Sequence, residues 1–175
     1  MELRRHVLLC GFMACGKTTV GRLAARRLGV PFADTDMLIE EKTGQTIPEI
    51  FEARGEASFR DLEHEVLCSL PSLSPRVIAT GGGLPTFARN AAPLRAAGLV
   101  LFLDRDFDDI WLVLSRRTGR PLAKDRTKEE MRALYEARLP LYRSCADDII
   151  KSCSRVEDTV DLILSRVSAD CGTRP

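Results

Sequence analysis

The chain has 175 residues, enough for one compact domain that buries a hydrophobic core without disulfides or structural metals. Its 26 Lys and Arg residues nearly balance 25 Asp and Glu residues, and the net charge of +1 gives no general attraction to nucleic acid or anionic membranes. Six cysteines without a C-x-x-C pair, together with only two histidines, argue against a zinc site.

Strand-like and helix-like segments alternate along the chain. Apolar runs predict strands at residues 6–10, 31–33, 76–80, 99–103 and 148–151. Apolar residues at helical spacing predict helices at residues 17–28, 47–54, 58–70, 87–97, 107–115, 131–139 and 156–167. Pro140 should end or kink the sixth of these helices, and the residues after Ser168 should fray. The alternation predicts a single three-layer α/β/α domain over residues 1–175, with a central parallel sheet of about five strands.

Residues 11–18 read G-F-M-A-C-G-K-T and fit the phosphate-loop pattern G-x-x-x-x-G-K-[ST] at every position. A predicted strand precedes this segment and a predicted helix follows it, which is the expected context. Backbone N–H groups of such a loop surround a phosphate, and the helix N-terminus adds a favourable dipole. We therefore expect ATP binding, with Lys17 on the β- and γ-phosphates and the Thr18 hydroxyl as a Mg²⁺ ligand.

Cys15, inside this loop, has two interpretations. A thiol near a helix N-terminus can be reactive, in which case ATP should protect it from a thiol reagent. The alternative, which we favour, is a small filler residue that points away from the phosphates.

Three further features lie at predicted strand ends, where parallel sheets bind ligands. Asp34 and Asp36 could organise Mg²⁺ through water and meet an acceptor hydroxyl, although Asp36 would serve equally well as a helix N-cap. Arg60 offers a planar fork for a carboxylate, or is an ordinary solvated arginine. Glycines 81–83 carry no side chains, so a ligand or another part of the chain could approach their backbone closely. Alternatively, they form a loose turn.

Together these motifs resemble the shikimate kinase family from residue 11 to about residue 147. The chain carries, in the family's order, G-F-M-x-x-G-K-T at 11–18, D-T-D at 34–36, G-E-x-x-F-R at 55–60, G-G-G at 81–83, R-P-L at 120–122 and R-x-P-L-Y at 138–142. The phosphate loop is shared with many NTPases, whereas the other five motifs are specific in combination.

The resemblance implies a P-loop kinase fold with an acceptor-binding segment at about 34–62 and a mobile lid at about 116–127. It implies transfer of the γ-phosphoryl of ATP to the 3-hydroxyl of shikimate, with Mg²⁺, in aromatic amino acid biosynthesis. It also implies a monomer.

The resemblance further assigns roles to individual residues. Shikimate would be bound by Asp36, Arg60, Gly82 and Arg138. ATP would be held by Ala14, Cys15, Gly16, Lys17, Thr18, Thr19, Arg117, Arg120 and Arg155, with Arg116 as an alternative to Arg117 beside the adenine. Catalysis would depend on Lys17, Asp36 and Arg120, and the metal on Thr18 and Asp34. Whether Asp34 or Asp36 accepts the proton stays open.

Two departures from the family pattern stand out. Ala14 occupies a loop position where the family usually has a further glycine, which could alter the loop geometry. The segment 116–120 looks shorter than in some members, so the register of Arg116 and Arg117 is open.

Two other functions would account for part of this pattern. A gluconate or nucleoside monophosphate kinase would share the phosphate loop but not the combined set of Arg60, glycines 81–83 and Arg138. A regulatory nucleotide-binding module would lack transfer, whereas both metal-binding groups and the lid arginine are present here.

The sequence also bears on location. No apolar run approaches the roughly 20 residues of a membrane span, and residues 1–6 lack the features of a signal peptide. We expect a cytoplasmic enzyme with reduced thiols that binds neither nucleic acid nor membranes.

Overall fold

The computed structural model describes residues 3–116 and 127–173. Within these residues, five strands form one parallel sheet in the order β2–β3–β1–β4–β5. The strands are β1 (His6–Cys10), β2 (Phe32–Asp34), β3 (Val77–Ala79), β4 (Gly98–Asp104) and β5 (Asp148–Lys151). The predicted parallel sheet of about five strands is confirmed.

Helices cover the sheet in two packed groups, which gives the predicted three layers. They are α1 (Lys17–Leu28), α2 (Thr35–Thr43), α3 (Ile47–Ser69), α4 (Ala91–Ala97), α5 (Phe107–Ser115), α6 (Lys128–Cys145) and α7 (Val156–Thr173). Helix α1 packs against α7, whereas α4 packs against both α3 and α6. No helix in the described ranges has the length and apolar character needed to cross a bilayer.

The central strand β1 and its neighbour β4 form the middle of the hydrophobic core. Every residue of β1 is buried, and so is every residue of β4 except Asp104. Continuous burial without alternation is typical of parallel strands that are covered on both faces. Phe102 of β4 stacks on Tyr142 of α6, with ring centroids 5.4 Å apart, and so ties the sheet to that helix.

Three strand ends meet at one edge of the sheet. Strand β3 lies between β1 and β2, and Ala79 is in register with both Leu9 and Asp34. The loops that follow these strands therefore begin side by side. In parallel α/β sheets this carboxyl edge is where ligands bind.

Helix α2 was not predicted from the sequence. Only Thr35 and Ile39 of this helix are buried, so it lacks the apolar stripe by which helices are recognised. Its start is fixed instead by Asp34, whose side chain accepts a hydrogen bond from the Asp36 N–H.

The separate helices predicted at 47–54 and 58–70 are joined in α3 across a kink at Gly55. Gly55 has φ 74° and ψ 175°, a conformation that is open essentially to glycine alone. Beyond this kink the helix continues, and Arg60 lies against Gly83 in the segment that follows β3.

Three other expectations need correction. The helix predicted at 87–97 is a 3₁₀ turn, Ala88–Asn90, followed by α4. Pro140 does not end α6, which continues to Cys145 because Met131 on one side of the proline and Tyr142 on the other are both buried. The last helix continues past Ser168 to Thr173, where Asp170 forms an ion pair with Arg5 at 2.5 Å.

The kink at Gly55 leads to a prediction about stability. Gly55→Ala and Gly55→Asn should both lower the free energy of unfolding by about 1–3 kcal/mol, because neither side chain tolerates this φ/ψ pair. At Gly29, with φ 69° and ψ 30°, asparagine should cost less than alanine, because that conformation is the ordinary left-handed one. Urea denaturation of the four variants measures both differences. Full stability of Gly55→Asn would contradict the assigned backbone conformation.

Candidate active site

The phosphate loop connects β1 to α1 and is shaped by unusual backbone angles. Gly16 is the N-cap of α1, with φ 104° and ψ 7°. Ala14 has φ 61° and is the only non-glycine residue with positive φ in the described part of the chain. The loop thus keeps its turn without the usual glycine at position 14. The free N–H groups of the first turn of α1 make this end of the helix suitable for an anion.

Lys17 carries a positive charge inside the loop. Its Nζ donates hydrogen bonds of 2.9 Å to the carbonyl oxygens of both Gly11 and Phe12, and the side chain is buried. Lys17 lines a cavity together with other loop residues and residues from the ends of β2 and β3. These are Met13, Ala14, Gly16, Thr18, Thr19, Asp34, Asp36, Thr80, Gly81 and Gly82.

The side chain of Cys15 is buried underneath the phosphate loop. It is 2% exposed, and Lys17 Nζ lies 3.8 Å from its sulfur. A Cβ placed on Gly11 would come within 3.0 Å of the same sulfur. The thiol fills space under the loop, which supports the filler interpretation because a reagent has little access to it.

Thr18 and Asp34 place a hydroxyl and a carboxylate side by side in the lining of the cavity. Thr18 Oγ1 donates to Asp34 Oδ2 at 2.9 Å, and the other carboxylate oxygen of Asp34 accepts the Asp36 N–H at 3.1 Å. The described residues hold no group of three His, Cys, Asp or Glu side chains that could form a complete metal cage. A hydroxyl and one carboxylate nonetheless fit Mg²⁺, which takes one or two protein oxygens beside phosphate oxygens and water.

The glycines after β3 make room for two carboxylates. A Cβ on Gly81 would lie 2.8 Å from Asp36 Oδ1 and 2.8 Å from Glu63 Oε1. A Cβ on Gly83 would lie 2.5 Å from Arg60 Nη1, and one on Gly82 would lie 3.3 Å from the Met13 nitrogen. Charged side chains therefore come close to the backbone of this triplet, which is not a loose turn.

Arg60 is not a solvated surface arginine, since it is only 8% exposed. Its Nη1 donates to Glu63 Oε2 and its Nη2 to Glu56 Oε1, both at 2.7 Å. The guanidinium also lies over the rings of Phe59 and Phe87, at 5.3 and 5.0 Å from their centroids. Burial alone lowers the pKa of Arg60, but the hydrogen bonds and charges of the two carboxylates outweigh burial and raise it. The side chain is charged and fixed in place.

Glu63 is 1% exposed, and burial raises its pKa, with Arg60 offsetting part of the effect. Its Oε1 has no hydrogen-bond partner among residues 3–116 and 127–173. No sequence motif points to Glu63. Its spacing of three residues from Arg60 on a helix was the available signal, since side chains at i and i+3 are neighbours.

Arg138 approaches the same region from α6. Its guanidinium lies 6.0 Å from the ring centroid of Phe12, and its charge offsets part of the rise that burial causes in the pKa of Glu63.

Tyr142, one turn further along α6, donates a 2.6 Å hydrogen bond to the carbonyl of Gly82. Burial raises the pKa of Tyr142, and the neighbouring Arg138 offsets part of this rise. Tyr142 belongs to the quoted R-x-P-L-Y motif but had been given no role.

The remaining candidates differ in position. Thr19 is exposed and lines the cavity, whereas Arg116 and Arg155 are exposed at the end of α5 and just before α7. Arg117 and Arg120, with most of the expected lid, lie outside the described residues.

Comparison with known proteins decides the family. A family model described as "Shikimate kinase" matches residues 13–168. The shikimate kinase of Geobacter sulfurreducens is 46% identical over 167 residues, which are 93% of this chain and 91% of that protein. The chain belongs to the shikimate kinase family.

Solved structures of shikimate kinases agree with this assignment. "Shikimate kinase from Acinetobacter baumannii in complex with shikimate" is 38% identical, with a TM-score of 0.89 over 97% of this chain and 96% of that one. The shikimate kinase of Aquifex aeolicus is 36% identical, with a TM-score of 0.80 over 97% and 99% of the two chains. Such similarity over nearly the whole length confirms the resemblance drawn from the motifs and the P-loop kinase fold.

The positive φ of Ala14 leads to a prediction. The left-handed backbone conformation costs an L-residue roughly 1–2 kcal/mol, and glycine avoids this cost. Part of the gain is lost because glycine has more conformational freedom in the unfolded chain. Ala14→Gly should therefore raise the free energy of unfolding by about 0.5–1 kcal/mol. Ala133→Gly, at an exposed position in the interior of α6, should lower it by a similar amount and serves as the matched control. Denaturant unfolding of both variants measures the changes, and a loss of stability in Ala14→Gly would contradict the loop geometry.

Proposed function

We propose that this enzyme transfers the γ-phosphoryl of ATP to the 3-hydroxyl of shikimate, giving shikimate 3-phosphate and ADP. One observation carries the proposal. The buried guanidinium of Arg60 lies against Gly83, and the two preceding glycines, Gly81 and Gly82, line the same cavity as Lys17. A group suited to a carboxylate and a group suited to phosphate are thus linked through one short run of glycines, which fits transfer from ATP to an acid that bears hydroxyls.

On the ATP side, the loop would hold the phosphates with residues 14–19. Lys17 would exchange its two carbonyl partners for phosphate oxygens and place its charge on the β- and γ-phosphates. Thr18 and Asp34 would hold Mg²⁺. Held there, Mg²⁺ would supply positive charge against the negative charge of the phosphates during transfer. Arg120 would add charge from the lid, and Arg155, with Arg117 or Arg116, would flank the adenine.

On the acceptor side, Arg60 and Arg138 would bind the carboxylate of shikimate. Glu63 and Glu56 hold Arg60 in its orientation before the acceptor arrives, so little ordering is needed on binding. Gly82 would form the floor of the pocket, and Asp36 would bind the ring hydroxyls.

Asp36 is also our proposed proton acceptor. Both carboxylate oxygens of Asp34 are engaged, one with Thr18 and the other with the N–H of Asp36. Asp36 lies beside Gly81 on the acceptor side of the cavity. It would align the 3-hydroxyl and take its proton as the oxygen attacks phosphorus.

We also propose that the enzyme is a cytoplasmic monomer that binds neither nucleic acid nor membranes. All six cysteines are free thiols, which supports a reducing compartment. Sedimentation at micromolar concentration tests the monomer.

The first functional prediction concerns the acceptor. ADP release should depend on added shikimate. It should be weak with nucleoside monophosphates, which have no carboxylate for Arg60, and with gluconate, whose open chain does not fix the distance between its carboxylate and its hydroxyls. Lys17→Ala should lower kcat by about 10²–10³-fold, as expected when one charged donor is lost from a transition state. A coupled assay of ADP release measures both effects. ATP turnover that is indifferent to shikimate would contradict the proposal.

The second functional prediction concerns Arg60. Arg60→Ala should raise the KM for shikimate by about 10–100-fold, the value of a charge-assisted hydrogen bond to a carboxylate, with a smaller change in kcat. Arg60→Lys keeps the positive charge but loses the two parallel N–H donors of the guanidinium, and should still raise the KM for shikimate. Arg54→Ala is the matched control, since Arg54 is exposed on the same helix and bonds to Gln45. An unchanged KM in a folded Arg60→Ala enzyme would remove Arg60 from the site.

A further inference from the structure

A cysteine and a histidine lie together on the surface of α3, outside the proposed transfer machinery. Cys68 follows His64 by four residues, so the two side chains share one side of the helix. Cys68 Sγ lies 3.6 Å from His64 Nε2. The cysteine is exposed and the histidine half-buried. A thiol accessible to reagents therefore contacts an imidazole.

A third residue fixes the orientation and the tautomer of that imidazole. Asn90 is 1% exposed, and its Nδ2 donates to the carbonyl of Leu84 at 2.8 Å. Its Oδ1 must then face His64 Nδ1, which lies 2.8 Å away. Because an amide oxygen accepts and cannot donate, Nδ1 carries the proton in neutral His64. Nε2 is left with its lone pair directed at the Cys68 thiol, and can accept the S–H proton.

Nucleophile, base and orienting group are thus arranged in series, as in sites where a side chain is activated for attack. We propose that Cys68 is a thiol–disulfide exchange site at which His64 acts as the base and Asn90 as the positioning residue. As Cys68 Sγ attacks one sulfur of a low-molecular-weight disulfide, its proton passes to His64 Nε2. A new S–S bond forms, the original S–S bond breaks, and the departing thiolate takes the proton from His64. The products are a mixed disulfide on Cys68 and one free thiol.

The other cysteines provide internal references. Cys10, Cys15 and Cys145 are buried, whereas Cys153 is exposed like Cys68. The Cys153 thiol donates to the Lys151 carbonyl at 3.8 Å. The chain has one other histidine, His6, which is buried and bonded to Leu70 O and Arg76 N. Cys153 is therefore an exposed thiol without an imidazole partner.

The test uses the full chain and bis(2-hydroxyethyl) disulfide, an uncharged probe whose approach is not steered by local charge. Acid quenching, digestion and mass spectrometry give the rate of mixed-disulfide formation at each cysteine. At pH 7, Cys68 should react about tenfold faster than Cys153. In His64→Gln, which retains a hydrogen-bond acceptor but not a base, the Cys68 rate should fall to within about twofold of the Cys153 rate. Unreacted Cys10 and Cys145 would show that the variant is folded.

Equal rates at Cys68 and Cys153 in the parent chain would overturn the proposal, and this comparison needs no substitution. An unchanged Cys68 rate in folded His64→Gln would overturn the role of His64. Asn90→Ala should give an intermediate Cys68 rate, because the imidazole remains but is no longer held in one orientation.

Discussion

The site depends on the pairing of β3 between β1 and β2. This register places Ala79 beside both Leu9 and Asp34, so the three chain segments that follow leave the sheet together. The phosphate loop, the aspartate pair and the glycine triplet come from distant parts of the sequence, yet each starts from the same edge. Gly81 N donates to Thr35 Oγ1 at 2.8 Å and links two of these segments directly. A slip in this pairing would separate the groups that hold donor and acceptor.

The buried charges at this edge are better explained by function than by stability. A buried ion pair is weak evidence for stability, because desolvation of both groups offsets their attraction. Arg60 and Glu63 are both nearly inaccessible, and burial raises the pKa of Glu63 even with Arg60 beside it. The arrangement instead fixes a guanidinium between two carboxylates and two aromatic rings. A guanidinium that is already held in one orientation loses little entropy when it binds a carboxylate.

Features with a local cause could be predicted from the sequence. The phosphate loop is recognised because its pattern lies between a strand and a helix, and the helix at 107–115 because its apolar face is regular. Helix α2 could not be predicted in this way, because its start depends on one cap and its burial on two residues. Glu63 was missed because its role arises only when α3 bends at Gly55 and approaches the glycine triplet. Pro140 was misjudged because packing on both sides of it outweighs the lost hydrogen bond.

The continuation of α6 beyond Pro140 has a consequence for how the two halves of the site are joined. It brings Tyr142 onto the carbonyl of Gly82, while a Cβ on Gly82 would crowd the Met13 nitrogen of the phosphate loop. Gly82 is therefore held between the helix that carries Arg138 and the loop that carries Lys17. Because interiors are closely packed, a shift of α6 would be transmitted through this residue to the loop. Gly82 thus links α6 to the phosphate loop alongside the direct contact between Arg138 and Phe12, and a methyl group at this position would press on the Met13 nitrogen.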